Sequence, residues 1–169
     1  PDLTFVADAS AILACNAKPV IADINKNDFF LSISNLKKNI TKRTKAIIPV
    51  HIYGQVCNID EVLDVARDND LKIIEDCAHA IGTFHNSKHV GTLGDTGCFS
   101  FYPTKNITTA EGGMVITNSK KIAVKVRQLR NHGMSKSLKS RYSSGYPWVF
   151  DITEPGYNYR LDEIRAALG

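Results

Sequence analysis

The segment Leu71-Lys72-Ile73-Ile74-Glu75-Asp76-Cys77-Ala78-His79-Ala80 decides how this chain is read. A short apolar run that stops at two carboxylates is the pattern of a buried parallel strand meeting a polar edge. Upstream, residues 59–67 carry apolar side chains at helical spacing. Asn58 suits their N-cap, and Glu61, three residues on, completes a capping-box-like start. Residues 46–50 form a second apolar run and residues 19–24 a third. Strand, helix and strand in succession imply a right-handed crossover, and so an α/β fold with a mostly parallel sheet.

The pattern continues downstream. Residues 97–101 and 113–117 read as two further strands, with a turn between them that holds Lys105. Asn86-Ser87-Lys88, between His85 and His89, is a hairpin turn. Residues 120–130 place Ile122, Val126 and Leu129 on one face of an amphipathic helix, with Gly133 as its C′ stop. Residues 135–156 show no clear period. A connection that long is functional or disordered, and Tyr146, Pro147 and Trp148 argue for an ordered loop on the substrate side.

Composition narrows the class. The 169 residues are 43% apolar and 22% charged, ordinary for a soluble globular protein. No apolar run approaches the ~20 residues of a bilayer span, and no signal peptide is visible, so a cytoplasmic protein with no membrane partner is expected. Net charge is +4, and the densest basic cluster is Lys37-Lys38-Asn39-Ile40-Thr41-Lys42-Arg43-Thr44-Lys45. With no stacking aromatics interleaved, it reads as a solvated helix end and loop, not as a nucleic-acid surface. Cys15, Cys57, Cys77 and Cys98 have no CxxC pairing and read as buried free thiols in a reducing compartment. His85 and His89 lack a third partner that would make a metal site, and His51 follows a buried strand as a structural residue. No GxGxxG or GxxxxGK[ST] supports a dinucleotide or P-loop site.

The chemistry lies in Phe99-Ser100-Phe101-Tyr102-Pro103-Thr104-Lys105-Asn106 and the Glu111-Gly112-Gly113 that follows. Open parallel sheets bind ligands beyond the carboxyl ends of their strands. Asp76 closes one apolar run and Lys105 follows another, so both are expected at the same edge. A lysine that forms a Schiff base and a carboxylate that keeps a pyridine nitrogen protonated are what a pyridoxal phosphate (PLP) site needs. Ser100 is within reach of the cofactor phosphate. Each residue has a bland alternative: Asp76 as an N-cap for the segment after it, Lys105 as a surface lysine, His79 as a core histidine. The aromatic residues at 99, 101 and 102 and the Gly-Gly pair favour a buried, tightly turning site. There, desolvation lowers the proton affinity of the Lys105 amine.

At these residues the chain resembles a known family. The strings ED-C-A-HA, FSFYPTKNITTAEGG and GYNYRLDEIRAA, in this order, are similar to the DegT/DnrJ/EryC1/StrS sugar aminotransferases; the opening Leu3-Thr4-Phe5-Val6-Ala7 and Pro49-Val50-His51-Ile52-Tyr53-Gly54-Gln55 fit the same pattern. The resemblance implies a fold type I enzyme: a three-layer α/β/α large domain of the aspartate aminotransferase kind, with residues 1–169 as its central part. It implies that Lys105 binds PLP and shuttles the proton, that Asp76 pairs with the ring nitrogen, and that His79 contacts the ring or its 3-hydroxyl. It further implies that Phe5 stacks on the ring and that Ser100 and Asn158 hold the phosphate, Asn158 from a neighbouring subunit of a homodimer. Arg160 is a weaker candidate for the same anionic region. The implied reaction moves an amino group, from glutamate, onto a nucleotide-linked keto-sugar for polysaccharide synthesis. The alternatives are a PLP-dependent sugar dehydratase of the same family, in which a histidine replaces the lysine, and a non-catalytic regulatory homologue. One departure is visible: Ala110 stands where the family has glycine, and its methyl group crowds the turn.

Overall fold

The computed structural model describes residues 1–135, 138–143 and 145–169. A four-stranded sheet organises them, in the order β1 (Ala46–Ile47), β2 (Lys72–Asp76), β5 (Thr96–Ser100), β6 (Gly113–Ile116). β1, β2 and β5 run parallel, and β6 returns antiparallel along β5. Helix α3 (Ile59–Asp68) connects β1 to β2. A two-stranded hairpin, β3 (Phe84–His85) and β4 (Lys88–His89), interrupts the path from β2 to β5. Its turn residues Asn86 and Ser87 have φ of 47° and 64°, the paired left-handed conformation of a tight two-residue hairpin. The remaining helices are α1 (Ala7–Ala14), α2 (Ile33–Asn39), α4 (Lys120–Leu129), α5 (Leu138–Ser143) and α6 (Glu163–Leu168).

The main core is the seam between α2, α3 and the sheet. Leu36, Val62, Val65 and Ala66 pack there against Ile47, Leu71 and Ile73. The apolar spacing of residues 59–67 thus makes the expected helix, although its start differs. Asn58 makes no side-chain cap; its amide donates instead to the Leu31 carbonyl at 3.1 Å, tying α3 to the segment before α2. The expected strand at residues 19–24 does not form. Among the described residues only Ile24 bridges, to Leu31, and Val20 and Ile21 are exposed. β-branched composition favours extension there, but without a continuous hydrogen-bond ladder an extended segment is not a strand. Nor is β2 buried on both faces: burial alternates along it, with Ile73 and Glu75 inside and Ile74 and Asp76 half-exposed.

The expected helix at 120–130 is α4, capped by Ser119, whose Oγ accepts from the Ile122 N–H. It stops at Leu129, and the Gly133 N–H closes back onto the Gln128 carbonyl at 3.0 Å. Gly133 has φ +72° and a Cβ there would lie 1.9 Å from the Glu154 carbonyl oxygen, so only glycine fits. Residues 135–156 hold the short helix α5, which no periodicity announced; residues 136, 137 and 144 of this stretch lie outside the described residues. The basic cluster at 37–45 is a solvated helix end and loop, as expected.

One buried carboxylate locks the sheet to its connections. Glu75 and His51 both have 0% exposure. Glu75 accepts from His51 Nε2 at 3.0 Å and from the backbone N–H groups of Gly91 (2.7 Å), Leu93 (2.9 Å) and Gly94 (2.7 Å). The Cys57 N–H donates to His51 Nδ1 at 3.2 Å, which leaves the ring hydrogen on Nε2, aimed at Glu75. Burial by itself raises the Glu75 pKa; the hydrogen bonds from His51, Gly94 and Gly91 outweigh it, and the net value falls below the ordinary one. Close packing reinforces the lock, because a Cβ on Gly97 of β5 would lie 2.2 Å from Gly91 Cα.

Two predictions follow from this packing. Glu75→Gln presents an amide N–H where the carboxylate accepted, so it should cost about 2–4 kcal/mol of stability by urea denaturation. Unfolded glutamate titrates near ~4.3 and the folded value is lower. The Glu75 contribution is therefore fully present above about pH 4.3 and lost as pH falls through the folded value, and Glu75→Gln should flatten that acid limb. Ala110 has φ 64°, a conformation that costs an L-residue roughly 1–2 kcal/mol. Ala110→Gly should consequently raise stability by about 0.5–1 kcal/mol in the same assay, after glycine's own entropy cost.

Candidate active site

Asp76 lies between the segment after β1 and strand β5. Its N–H donates to the Pro49 carbonyl (2.9 Å) and its own carbonyl accepts from the His51 N–H (3.0 Å). On the other side it registers with Cys98 of β5. Its side chain, one residue past Glu75, points to the opposite face of β2. Oδ1 accepts from the Ala78 N–H at 2.9 Å, turning the chain away from the sheet; no helix follows, so the N-cap alternative reduces to a local turn. Oδ2 has no hydrogen-bond partner among the described residues.

Lys105 reaches the same place from β5. After Ser100 the chain leaves the sheet, turns with the Lys105 N–H donating to the Tyr102 carbonyl (2.9 Å), and returns where the Thr109 N–H meets the Phe101 carbonyl (3.0 Å). A single cleft is lined by Asp76, Lys105, His79, Phe5 and Thr4, with Val50, Ile52 and Ala78 as its apolar wall. The carboxylate and the amine that the sequence placed at one sheet edge therefore converge. Phe5 is 74% exposed, so it lines the cleft without being packed into the core.

His79 shares the electrostatics of this cleft. Burial lowers its pKa, the Lys105 charge lowers it further, and Asp76 opposes both. Its Nδ1 accepts from the Tyr53 N–H at 3.4 Å. Asp8 was not singled out from the sequence. In the first turn of α1, it accepts from Thr4 Oγ1 at 2.6 Å. Burial raises its pKa against that hydrogen bond, and the Asp76 charge raises it further. The i,i+4 spacing of Thr4 and Asp8 was the available signal.

The other candidates lie apart from the cleft lining. Ser100 ends β5, half-buried, two residues beyond the register of Asp76 on the same carboxyl edge, and its Oγ accepts from the Tyr102 N–H at 3.3 Å. Asn158 is exposed and bridges Asn131, while Arg160 donates to the Asn131 side chain at 3.1 Å. These residues share a surface with the end of α4, not with Asp76. Tyr146 and Trp148 pack edge to face at 5.9 Å on the exposed surface.

The remaining polar clusters are structural. His51, Glu75 and Cys77 bring donor atoms within 4.8 Å of one another, but both imidazole nitrogens and both carboxylate oxygens already have protein partners. Burial pushes the Cys57 thiol up to about 12 and that of Cys98 up to about 11, so both stay protonated. All four cysteines are free; Cys15, expected to be buried, is exposed. His85 pairs with Asp60 at 2.9 Å, and the Gly82 N–H donates to His89 Nε2 at 3.0 Å.

Comparison with known proteins bears on this arrangement. The sequence is 46% identical over 169 residues to GDP-perosamine synthase of Caulobacter vibrioides, covering 100% of this chain and 43% of that protein. Helicobacter pylori PseC, an aminotransferase involved in the biosynthesis of pseudoaminic acid, superposes with a TM-score of 0.88 at 36% identity, over 98% of this chain and 42% of that one. Spr1654 of Streptococcus pneumoniae in its PLP form superposes with a TM-score of 0.88 at 30% identity, over 100% of this chain and 46% of that one. The chain spans 42–44% of the length of the curated relatives compared with it. The fold, with its mostly parallel sheet and flanking helices, is that of these aminotransferases. Residues 1–169 match one family throughout, and the chain belongs to the DegT/DnrJ/EryC1/StrS aminotransferases.

Proposed function

We propose that the cleft holds PLP and that the protein transfers an amino group to a nucleotide-linked keto-sugar. The observation that carries this reading is the convergence of Asp76 and Lys105 on one cleft. The donor set fits the group. A carboxylate with one unpartnered oxygen suits a protonated pyridine nitrogen, and a lysine with no ion-pair partner among the described residues suits the carbonyl carbon. An exposed aromatic ring suits the cofactor's flat face. When bound, PLP supplies an electron sink that lets an amino group be taken from one substrate and given to another.

The protein's own groups do the rest. Lys105 would anchor the cofactor, and its Nζ would carry the proton between the substrate carbon and the cofactor carbon in each half of the transfer. Asp76 would keep the ring nitrogen protonated; its backbone bonds to Pro49 and His51 fix it in place. His79 offers a hydrogen bond to the ring substituent, and Phe5 covers one face. Ser100, with Asn158 from a second subunit of a homodimer, holds the phosphate. Glutamate is the proposed amino donor, and polysaccharide synthesis the use of the product. Lys105, in place of histidine, favours transamination over dehydration. The names of the relatives support a nucleotide-sugar substrate.

Adding PLP should produce a visible absorption band that borohydride fixes, by mass spectrometry, onto Lys105; Lys105→Ala should abolish it. No band in the wild-type protein refutes the reading. With glutamate and a keto-sugar the protein should release 2-oxoglutarate, and Asp76→Asn should slow that release by roughly 100-fold or more, as expected for losing a preorganised electrostatic partner.

A further inference from the structure

The turn at residues 52–54 carries strain that burial does not explain. Tyr53 adopts φ 53°, ψ 27° inside the short 3-10 turn Ile52–Gly54, although the residue is 79% exposed. A left-handed tyrosine costs on the order of 1–2 kcal/mol, and such strain collects where a fold holds a functional group in place.

The surroundings show what this turn holds. The Tyr53 N–H donates to His79 Nδ1, and the two rings stack with centroids 5.8 Å apart and planes 16° from parallel. Gly54, at φ +78°, lies so close that a Cβ on it would be 3.3 Å from the His79 carbonyl oxygen. The Thr83 hydroxyl donates to the Gly54 carbonyl at 3.0 Å, so the turn is fastened beyond His79 as well. Before it, His51 is locked by Glu75. A turn anchored at both ends thus presses a ring and an N–H against one imidazole that lines the cleft.

We propose that Tyr53 is a positioning residue for His79: its N–H fixes the imidazole tautomer and its ring fixes the imidazole plane. With Nδ1 accepting, the hydrogen sits on Nε2, which has no hydrogen-bond partner among the described residues and is free to donate in the cleft. Burial and the Lys105 charge, against Asp76, keep the ring below the ordinary histidine value, so a neutral imidazole with a defined donor nitrogen is present at neutral pH. The functional importance of that donor rests on the reading of His79 as a contact of the PLP ring; the positioning itself does not.

The test is nitrogen NMR of 15N-histidine-labelled, cofactor-free protein, comparing wild type with Tyr53→Phe and Tyr53→Gly. Glycine relieves the left-handed strain, so this variant is expected to fold. Wild type and Tyr53→Phe should show His79 mainly as the Nε2–H tautomer, with a titration midpoint below ~6.5. Tyr53→Gly keeps the backbone N–H but loses the stacked ring that holds the imidazole against it, so the imidazole should turn away from that N–H, giving a mixture of tautomers and a midpoint moved up toward ~6.5. In the PLP-loaded protein, Tyr53→Gly should lower kcat roughly 10- to 100-fold with little change in KM for the amino donor, and Tyr53→Phe should restore it. An unchanged His79 tautomer and midpoint in Tyr53→Gly overturns the proposal even where a PLP band forms. A missing band in wild type sinks the cofactor reading alone and leaves the NMR comparison standing.

Discussion

A carboxylate wholly shut off from water, Glu75, is the constraint on which the rest of the structure depends. A buried charge survives only when its lone pairs are filled, and Glu75 fills them from two places: the loop after the hairpin and the segment after β1. Those segments cannot shift independently without orphaning a donor or the charge. The next residue along β2 is Asp76, so a rigid interior is transmitted directly to the cleft. Gly91 and Gly97 permit the close approach that brings the N–H groups within reach.

On that rigid edge, the cleft gathers opposed electrostatics in a small space. The Asp76 charge raises the proton affinity of Asp8, and Lys105 and Asp76 act in opposite directions on His79; among the described residues none of these four groups is consumed by an ion pair. Strained backbone lies close by, at Tyr53 beside His79 and at Ala110 in the loop that returns from Lys105. Stability is concentrated beneath the sheet, in the seam of α2 and α3, while the carboxyl edge holds polar groups with unused hydrogen-bonding capacity. That division suits a ligand site, since groups satisfied by the protein have nothing left to offer a ligand.

Several elements were legible in the residues alone because their signals are local. The spacing of Ile59, Val62, Val65 and Ala66 dictates α3, and Asn86-Ser87 dictates the hairpin. The apolar run at 71–74 dictates β2, and the carboxyl-edge rule then brings Asp76 and Lys105 to one place. Where a partner far along the chain decides, the local signal misleads. Residues 19–24 have strand composition but no ladder to join; the Asn58 amide is drawn away from its cap by the Leu31 carbonyl; α5 lies in a segment without periodicity. Asp8 escaped notice because its importance comes from its proximity to Asp76, not from its own neighbours.

The sequence by itself determined the fold class and the two groups, Asp76 and Lys105, that meet at the sheet edge, because strand patterning and chain order suffice for both. It also placed two carboxylates side by side, which the two-residue period of a strand sends to opposite faces. Which one enters the core was decided only in three dimensions, by the loop at 91–94 that brings its N–H groups under one face of β2. Glu75 is held there and cannot act; Asp76, on the other face, accepts only from the Ala78 N–H among the described residues and keeps its second oxygen free.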